Sequence, residues 1–388
     1  MKNKLFPLCA IALTVLCAPS HAQERGVTTD KVVFGMQTDL SGVVANVGVA
    51  QSNAIRMRFE EANIGGGIAG RKLELIVEDS GYQVPKAVQA VNKLINRDQV
   101  FAIIGSMAAG LNNATIPDQL IAGVPNLFPN AASKSMYEPF HKMKFSGLAT
   151  YDHQSRAATN WLITQKGAKK ICVMYIKNDM GEEVFQAVEE AAKAKDASVM
   201  GASHRPTDIE FSASVQRMKE ANCDALVLGT LVRDTIGILS AVHAMKWNIP
   251  VIGAGATQQP PVVSAPGGIA EGFMAMAQVI TAYPDDSNKA AADWVQRYTK
   301  RFNAPPNVYA QWAYGWADMT VKALSVAGRN LTMDRFIGAL EGTQNYQDIF
   351  GSPRQSFGPQ RRLSTDESFL VMVKNGRWVK LTEFLPIK

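Results

Sequence analysis

The sequence contains few of the residues that enzymes and metal sites use most. Its 388 residues include five histidines and four cysteines, and none of these stands at a metal-ligand spacing such as H-E-x-x-H or C-x-x-C. A G-x-S-x-G nucleophile elbow and a Walker phosphate loop are also missing. We therefore expect neither a metal nor another cofactor, and we do not expect an enzyme.

A dinucleotide-binding fingerprint is missing too, although two glycine-rich segments match part of it. Residues 65–70 read G-G-G-I-A-G, but a predicted helix precedes them and a predicted strand follows, which reverses the order that the fingerprint needs. Residues 253–255 follow a predicted strand, but Gln258 occupies the place of the third glycine. We interpret both segments as loops.

Long runs of one charge are absent. The formal net charge is +6, and the lysines and arginines are scattered, often beside an acidic residue. Nucleic-acid binding needs a basic patch with interleaved aromatic residues. The sequence therefore predicts a solvated surface and no nucleic-acid partner.

The N-terminus has the pattern of a secretory signal peptide. Lys2 and Lys4 precede an apolar stretch over residues 5–17, and Ser20-His21-Ala22 has the small-x-small form of a cleavage site. The apolar stretch is too short to span a bilayer. We expect residues 1–22 to be removed and the rest of the chain to be secreted.

Cleavage at that point leaves only two cysteines, Cys172 and Cys223. Two cysteines do not make a disulfide framework, and both stand where a strand is predicted to begin. Buried free thiols are the favoured interpretation, and a bridge between them is the alternative.

The pattern that fills the chain is an alternation of apolar strands and amphipathic helices. Strand, loop and helix follow one another four times over residues 31–133 and again over residues 170–259. Such alternation predicts βαβ units and parallel sheets. Near the C-terminus, Asn375-Gly376 lies between two apolar runs and predicts a hairpin. We expect an α/β fold of two doubly wound parallel-sheet lobes, with a break near residues 147–152.

Residues 101–110 are the first candidate for a ligand site. Phe101 to Ile104 are all apolar and predict a buried strand, and Gly105-Ser106-Met107-Ala108-Ala109-Gly110 leads into a predicted helix. Small side chains let the backbone approach a ligand, and the free N–H groups of a helix N-terminus favour an anionic or polar group. The alternative is a tight turn without a ligand.

Several short motifs resemble those of type I periplasmic solute-binding proteins of ABC importers, in particular the Leu/Ile/Val-binding group. They are D-L-S-G at residues 39–42, G-G-I-A-G-R-K-L at 66–73, V-E-D at 77–79 and I-I-G at 103–105. This resemblance implies two α/β lobes, three hinge crossovers and a ligand in the cleft. On it we assign residues 23–149 and 280–352 to lobe one and residues 150–279 and 353–388 to lobe two, with crossovers near 147–152, 278–281 and 350–355.

The same resemblance implies a function. A monomeric periplasmic receptor would close on a small molecule and deliver it to an ABC permease in the inner membrane. The alternative is a ligand-sensing subunit that presents its closed form to a receptor kinase or chemoreceptor.

The residues at the expected ligand positions depart from those of amino-acid binders. Ala108 and Ala109 stand where two serines often hold the α-carboxylate, and Ala132 stands where a threonine is usual. Met180 replaces the tyrosine of D-x-x-Y-G, and Gly255 falls where an acidic residue would meet the α-ammonium group. Since a buried cation without a partner is costly, a free amino acid is not the expected ligand.

Arg233 is the expected replacement anchor, because its guanidinium suits a carboxylate. Together with the apolar and aromatic residues expected around it, this anchor suits a hydrophobic or aromatic carboxylate, and the resemblance implies an acid of the benzoate or cinnamate type. A branched-chain amino acid remains the alternative ligand, and a surface pair with Asp234 the alternative role for Arg233. If Arg233 is not the anchor, the N–H groups after Gly105, with Ser106 or Ser133, are the alternative anchor. The residues that we assign to the ligand site are Ser41, Tyr82, Ser106, Met107, Ala108, Ala109, Asn130, Ala131, Ala132, Ser133, Tyr151, Met180, Leu231, Arg233, Gly255 and Tyr309.

Overall fold

The computed structural model describes residues 24–387. The segment that we interpret as a signal peptide, residues 1–22, lies outside the described residues. None of the helices within 24–387 combines the length and the apolar content that crossing a membrane requires.

Strands and helices alternate along most of the described chain. The strands are β1 Lys31–Thr38, β2 Lys72–Asp79, β3 Ala102–Ile104, β4 Asn126–Leu127, β5 Lys144–Phe145, β6 Lys170–Ile176, β7 Ser198–His204, β8 Ala225–Gly229, β9 Val251–Gly253, β10 Met274–Ala277, β11 Phe369–Lys374 and β12 Arg377–Lys380. The helices are α1 Ala45–Ile64, α2 Val84–Asn96, α3 Ala109–Ile121, α4 Tyr151–Lys166, α5 Asp179–Lys193, α6 Ser212–Glu220, α7 Val232–Ala244, α8 Pro260–Val263, α9 Lys289–Phe302, α10 Val308–Ala327 and α11 Met333–Glu341.

The strands form two sheets, one in each lobe. The first lobe has the order β2-β1-β3-β4-β5, and every pairing in it is parallel. The second has the order β12-β11-β10-β9-β8-β6-β7, which is parallel except where β11 pairs antiparallel with β10 and β12. Strands such as β3 and β8 are buried along their whole length, as expected for parallel strands covered by helices on both faces. The predicted α/β fold with two parallel sheets is confirmed.

The C-terminal hairpin follows from its turn. Asn375 and Gly376 both have positive φ, 53° and 70°, which a two-residue hairpin turn of the primed type requires. The hairpin adds two strands to the sheet of the second lobe.

The chain passes between the lobes three times. It leaves the first lobe between β5 and α4 and returns between β10 and α9. These two passages run side by side, since the Gln278 side chain accepts a hydrogen bond from Ala149 N at 2.6 Å and donates to Ala149 O at 3.2 Å. An amide side chain thus connects the first and second passages of the hinge.

The third passage comes later than the predicted residues 350–355. Phe357 packs on Phe128 and Phe145 of the first lobe, with ring centroids 6.0 and 5.2 Å apart, and Leu363 pairs with Ser146. The residues up to 363 therefore stay with the first lobe, and the boundary that we set at 352 is too early. The turn-forming residues 351–353 suggested a passage between the lobes at this point. The packing of Phe357 in the aromatic core keeps the chain in the first lobe for about another ten residues.

The expectation that Cys172 and Cys223 are free thiols is wrong. They form a disulfide in the core of the second lobe, with Cα atoms 5.8 Å apart. Cys172 lies on β6, and Cys223 lies just before β8. Because β6 and β8 are neighbours in the sheet, the two cysteines come side by side, which the sequence positions alone do not reveal.

We expect the disulfide to stabilise the second lobe measurably. The bridge closes a separation of 51 residues, for which the chain-entropy relation gives about 4 kcal/mol, with about 2–4 kcal/mol typical. Urea unfolding of the oxidised protein, the reduced protein and Cys172→Ala/Cys223→Ala would measure this difference. Equal unfolding midpoints for the oxidised and reduced proteins would contradict the prediction.

Candidate functional site

A cavity of about 170 Å³ lies between the two lobes. A cavity of about 150 Å³ is enough to hold a benzene ring, so this space suits one small molecule. Its lining residues lie largely at the carboxyl ends of strands, where open α/β sheets bind ligands. They are Val44, Val47, Tyr82, Met107, Ala108, Ala109, Gly110, Leu111, Asn130, Tyr151, Asn178, Asp179, Met180, Leu231, Ala256 and Tyr309.

The N-terminus of α3 forms one wall of the cavity. The N–H groups of Ala109, Gly110 and Leu111 donate to no group within residues 24–387, as is usual for the first turn of a helix. The preceding residue, Ala108, has φ 65° and ψ 141°, a conformation that costs free energy in a residue other than glycine. The backbone is thus held in a strained turn, and the cavity wall contains three donors that have no acceptor in the described chain.

The N-terminus of α5 approaches from the second lobe. Asn178 caps this helix, since its Oδ1 accepts from Gly181 N at 3.0 Å. The N–H groups of Asp179 and Met180 have no acceptor in the described part of the chain. The positive ends of two helix dipoles therefore face one small space, which favours a negatively charged occupant.

Three tyrosines add hydroxyl groups to the lining. The hydroxyls of Tyr82 and Tyr309 form no hydrogen bond with any described residue, whereas that of Tyr151 has a hydrogen bond with the backbone of Ala132. Burial raises the pKa of all three, that of Tyr151 well above its ordinary value. A raised pKa means that each phenol keeps its proton and remains a donor. Tyr82 also has a positive φ of 58°, so it shares the backbone strain of Ala108.

The cavity contains no basic side chain. Among its lining residues the one carboxylate is that of Asp179, which is exposed and accepts from Asn113 Nδ2 at 2.8 Å. Asn130, Asn178 and the tyrosine hydroxyls are the other polar groups of the lining, and valine, leucine and methionine side chains form most of the apolar wall. Across residues 24–387, no group of three or more His, Cys, Asp and Glu side chains could hold a metal ion.

Nine of the residues predicted for the site line this cavity. They are Tyr82, Met107, Ala108, Ala109, Asn130, Tyr151, Met180, Leu231 and Tyr309. The sequence reasoning missed Val44, Val47, Gly110, Leu111, Asn178, Asp179 and Ala256. Most of these stand at or near the beginning of a helix that follows a strand, which is the signal that could have found them.

Arg233 is not among the lining residues of this cavity, so the structure offers no contact for its predicted role as ligand anchor. Its guanidinium donates to Pro206 O at 2.6 Å and Asp208 O at 3.2 Å and pairs with Asp234 at 2.8 Å. Leu231, which precedes α7, lines the cavity instead. Two residues further along a helix a side chain points to the opposite face, so Arg233 turns away toward solvent.

The three predicted serines also lie outside the lining. Ser41 is exposed and donates to Asp79 Oδ2 at 2.5 Å. Ser133 donates to Glu183 Oε2 of the second lobe at 2.6 Å. Ser106 is buried, and its hydroxyl has no partner among the described residues.

Gly255, Ala131 and Ala132 are buried behind the lining. Gly255 N donates to Gln154 Oε1 at 2.8 Å, and a Cβ at this position would lie 3.0 Å from the same oxygen. An acidic side chain has no room there without displacing Gln154. Ala132 connects the first lobe to the start of α4, because its carbonyl accepts a hydrogen bond from Tyr151 N at 2.5 Å.

Comparison with known proteins identifies relatives along most of the chain. The sequence model of one family, described as periplasmic binding protein, matches residues 31–377. A leucine-specific-binding protein of Salmonella typhimurium is 22% identical over 258 residues, 65% of this chain and 69% of the relative. A leucine-, isoleucine-, valine-, threonine- and alanine-binding protein of Pseudomonas aeruginosa is 22% identical over 306 residues, 78% of this chain and 80% of the relative.

Solved structures share the fold. A fatty acid ABC transporter substrate-binding protein from Thermomonospora curvata aligns with a TM-score of 0.85 at 23% identity, covering 94% of each chain. An ABC transporter solute-binding protein from R. palustris in complex with benzoate gives 0.79 at 19% identity, covering 90% of this chain and 95% of its own. A leucine-binding protein from Thermotoga maritima gives 0.80 at 18% identity, covering 92% and 99%.

The buried phenols should titrate only in strong alkali. Burial raises the pKa of Tyr309, whereas the unfolded chain releases this proton at about pH 10, so folding stability falls as the pH rises above that value. We expect the tyrosinate absorbance of wild type and Tyr309→Phe to coincide up to about pH 11. An absorbance step near pH 10 that Tyr309→Phe removes would contradict this geometry.

Proposed function

Because this chain belongs to the periplasmic binding protein family, a family of solute-binding proteins, we propose that it is a receptor for a small aromatic carboxylate. It is exported by its signal peptide and acts as a monomer in the periplasm. It closes on the acid, leaves it chemically unchanged and delivers it to an ABC permease in the inner membrane.

The observation that carries this proposal is the excess of hydrogen-bond donors in the cavity. One space that has no basic side chain among its lining residues is lined by three tyrosines and by five residues at two helix N-termini whose N–H groups have no acceptor in the described chain. A carboxylate accepts hydrogen bonds at both oxygens, and several N–H or O–H donors stabilise its charged form. The donors thus take the role that we had assigned to Arg233.

The walls support an apolar body on the acid. Val44, Val47, Met107, Leu111 and Met180 offer aliphatic and thioether surface, and methionine sulfur makes favourable contacts with aromatic rings. A cavity of about 170 Å³ suits a single ring better than a long acyl chain. The benzoate complex of the R. palustris structural neighbour is consistent with this class of acid.

A free amino acid fits the same space less well. Its ammonium group would need a buried acceptor of negative charge, and Gly255 offers none. Asp179 lies at the exposed rim and already accepts from Asn113. Leucine binding, the function named for the Salmonella typhimurium relative, is therefore the alternative that the first experiment must separate.

A thermal-shift screen separates the two ligand classes. A ligand at about 100 times its Kd stabilises the folded protein by about 2.7 kcal/mol, so benzoate or cinnamate should raise the melting temperature by several degrees. Leucine and valine should leave it unchanged. A shift with leucine or valine and none with the aromatic acids would overturn the proposed ligand class.

Substitutions should show which groups hold the carboxylate. Tyr151→Phe and Tyr309→Phe each remove one donor without changing the shape of the wall, and a hydrogen bond to a charged group is worth about 1.5–3 kcal/mol. We expect each change to weaken benzoate binding by about 10- to 100-fold in calorimetric titrations.

Arg233→Ala is the matched control for these variants, since its side chain faces solvent and Asp234. Its affinity for benzoate should stay within about twofold of wild type, a difference of well under 1 kcal/mol. Loss of binding in Arg233→Ala together with unchanged binding in both tyrosine variants would return the anchor to the guanidinium.

A further inference from the structure

Helix α5 carries a second set of contacts to the first lobe, made by two carboxylates on one face. Asp179 and Glu183 are four residues apart, so they are neighbours on the helix surface. Glu183 Oε2 accepts from Ser133 Oγ at 2.6 Å, and Oε1 accepts from Lys134 N at 3.1 Å and from Asp152 N at 3.4 Å. Ser133 and Lys134 belong to the first lobe, and neither they nor Glu183 line the cavity.

Asp179 makes the companion contact at the rim of the cavity. Its Oδ2 accepts from Asn113 Nδ2 of α3 at 2.8 Å. A Cβ on Gly110 would lie 3.9 Å from the same oxygen, an ordinary contact distance. The two helices thus touch along this face with room for the carboxylate between them.

Glu183 depends on its donors because no cation in the described chain pairs with it. Lys134 Nζ lies 3.5 Å from Glu138, and Arg156 pairs with Asp152 and Glu190. Burial raises the pKa of the Glu183 carboxyl, while the Ser133 hydroxyl and the N–H groups of Lys134 and Asp152 oppose that rise. When a carboxylate in such a position loses a hydrogen-bond donor, it is left partly unsatisfied, and this costs free energy because water does not fully replace the donor.

We propose that Glu183 is a positioning residue that holds the lobes closed through Ser133 and Lys134, and so sets how long a bound solute is retained. When the lobes separate, the donors from the first lobe leave and water replaces them, so these bonds stabilise the closed arrangement alone. The inference rests on the proposed function only in requiring that a solute is enclosed, whatever its class.

This role predicts a particular kinetic effect. The apparent affinity for a ligand is proportional to the fraction of the protein whose conformation can bind it, which here includes the closed arrangement of the lobes. These contacts form whenever the lobes close, with or without a solute, and a bound solute leaves only after they open. They therefore act on the dissociation rate, as do most affinity changes between related complexes. Weakening the Glu183 contact should therefore speed release and leave association nearly unchanged.

Stopped-flow dissociation of benzoate from Ser133→Ala tests this effect, with leucine as the probe if leucine alone raises the melting temperature. We expect dissociation about tenfold faster than in wild type, association within about twofold and an unchanged melting temperature without ligand. Glu182→Ala, which removes a carboxylate from the same turn of α5 without losing a bond to the first lobe, should dissociate like wild type. Equal rates for Ser133→Ala and wild type would overturn the proposal.

Amide exchange at Lys134 tests the contact without any solute. Among the described residues, Glu183 is the acceptor of this N–H. In the ligand-free protein, Glu183→Ala should exchange the Lys134 amide at least about fivefold faster than wild type or Glu182→Ala. Equal exchange in all three proteins would overturn the role of Glu183. If neither benzoate nor leucine binds, the proposed function fails while this exchange result still decides the present inference.

Discussion

The first turn of α3 is the constraint on which the site depends. Three N–H groups have to stay unpaired there, and Ala108 has to stay strained, so the surroundings must hold the backbone firmly. Asn112 Nδ2 donates to Ser106 O at 2.9 Å and Ala108 O at 2.8 Å, and Gln51 Nε2 donates to Gly105 O at 2.7 Å. A layer of buried amide side chains thus fixes the turn before any ligand arrives, which reduces the ordering that binding requires.

Both lobes are needed to form the cavity. Neither lobe alone encloses the cavity, because α3 supplies donors from one side while α5 and Tyr151 face it from the other. A solute is enclosed only when the lobes close, and in our proposal residues such as Glu183 and Ser133 contribute to its retention without touching it. Selection of a closed arrangement by its ligand is the general form of such coupling.

The parts of the fold that sequence could predict are those set by local pattern. Alternating apolar strands and amphipathic helices gave the two parallel sheets, and the small residues after Ile104 marked the α3 turn. Long-range geometry was not accessible in this way. Cys172 and Cys223 meet because β6 and β8 are neighbours, Phe357 holds the chain in the first lobe, and Arg233 turns outward because α7 begins one residue after Leu231. Each of these depends on how distant segments pack rather than on a periodicity.

The site was accessible to sequence reasoning where backbone atoms supply the chemistry. A run of small residues between a strand and a helix predicted the place of the donors, although not that phenol hydroxyls join them. The search for a charged side chain favoured Arg233 as the anchor over the N–H groups after Gly105, because a basic residue is visible in a sequence and an N–H group without an acceptor is not.

A crystal structure of the protein with benzoate tests the central claim most directly. We expect the carboxylate oxygens at about 3 Å, hydrogen-bond distance, from the N–H groups of Ala109, Gly110 or Leu111, with Tyr151 and Tyr309 hydroxyls directed at the same group and the ring among the apolar walls. A carboxylate bound by Arg233, or benzoate found outside the space between α3 and α5, would contradict the account.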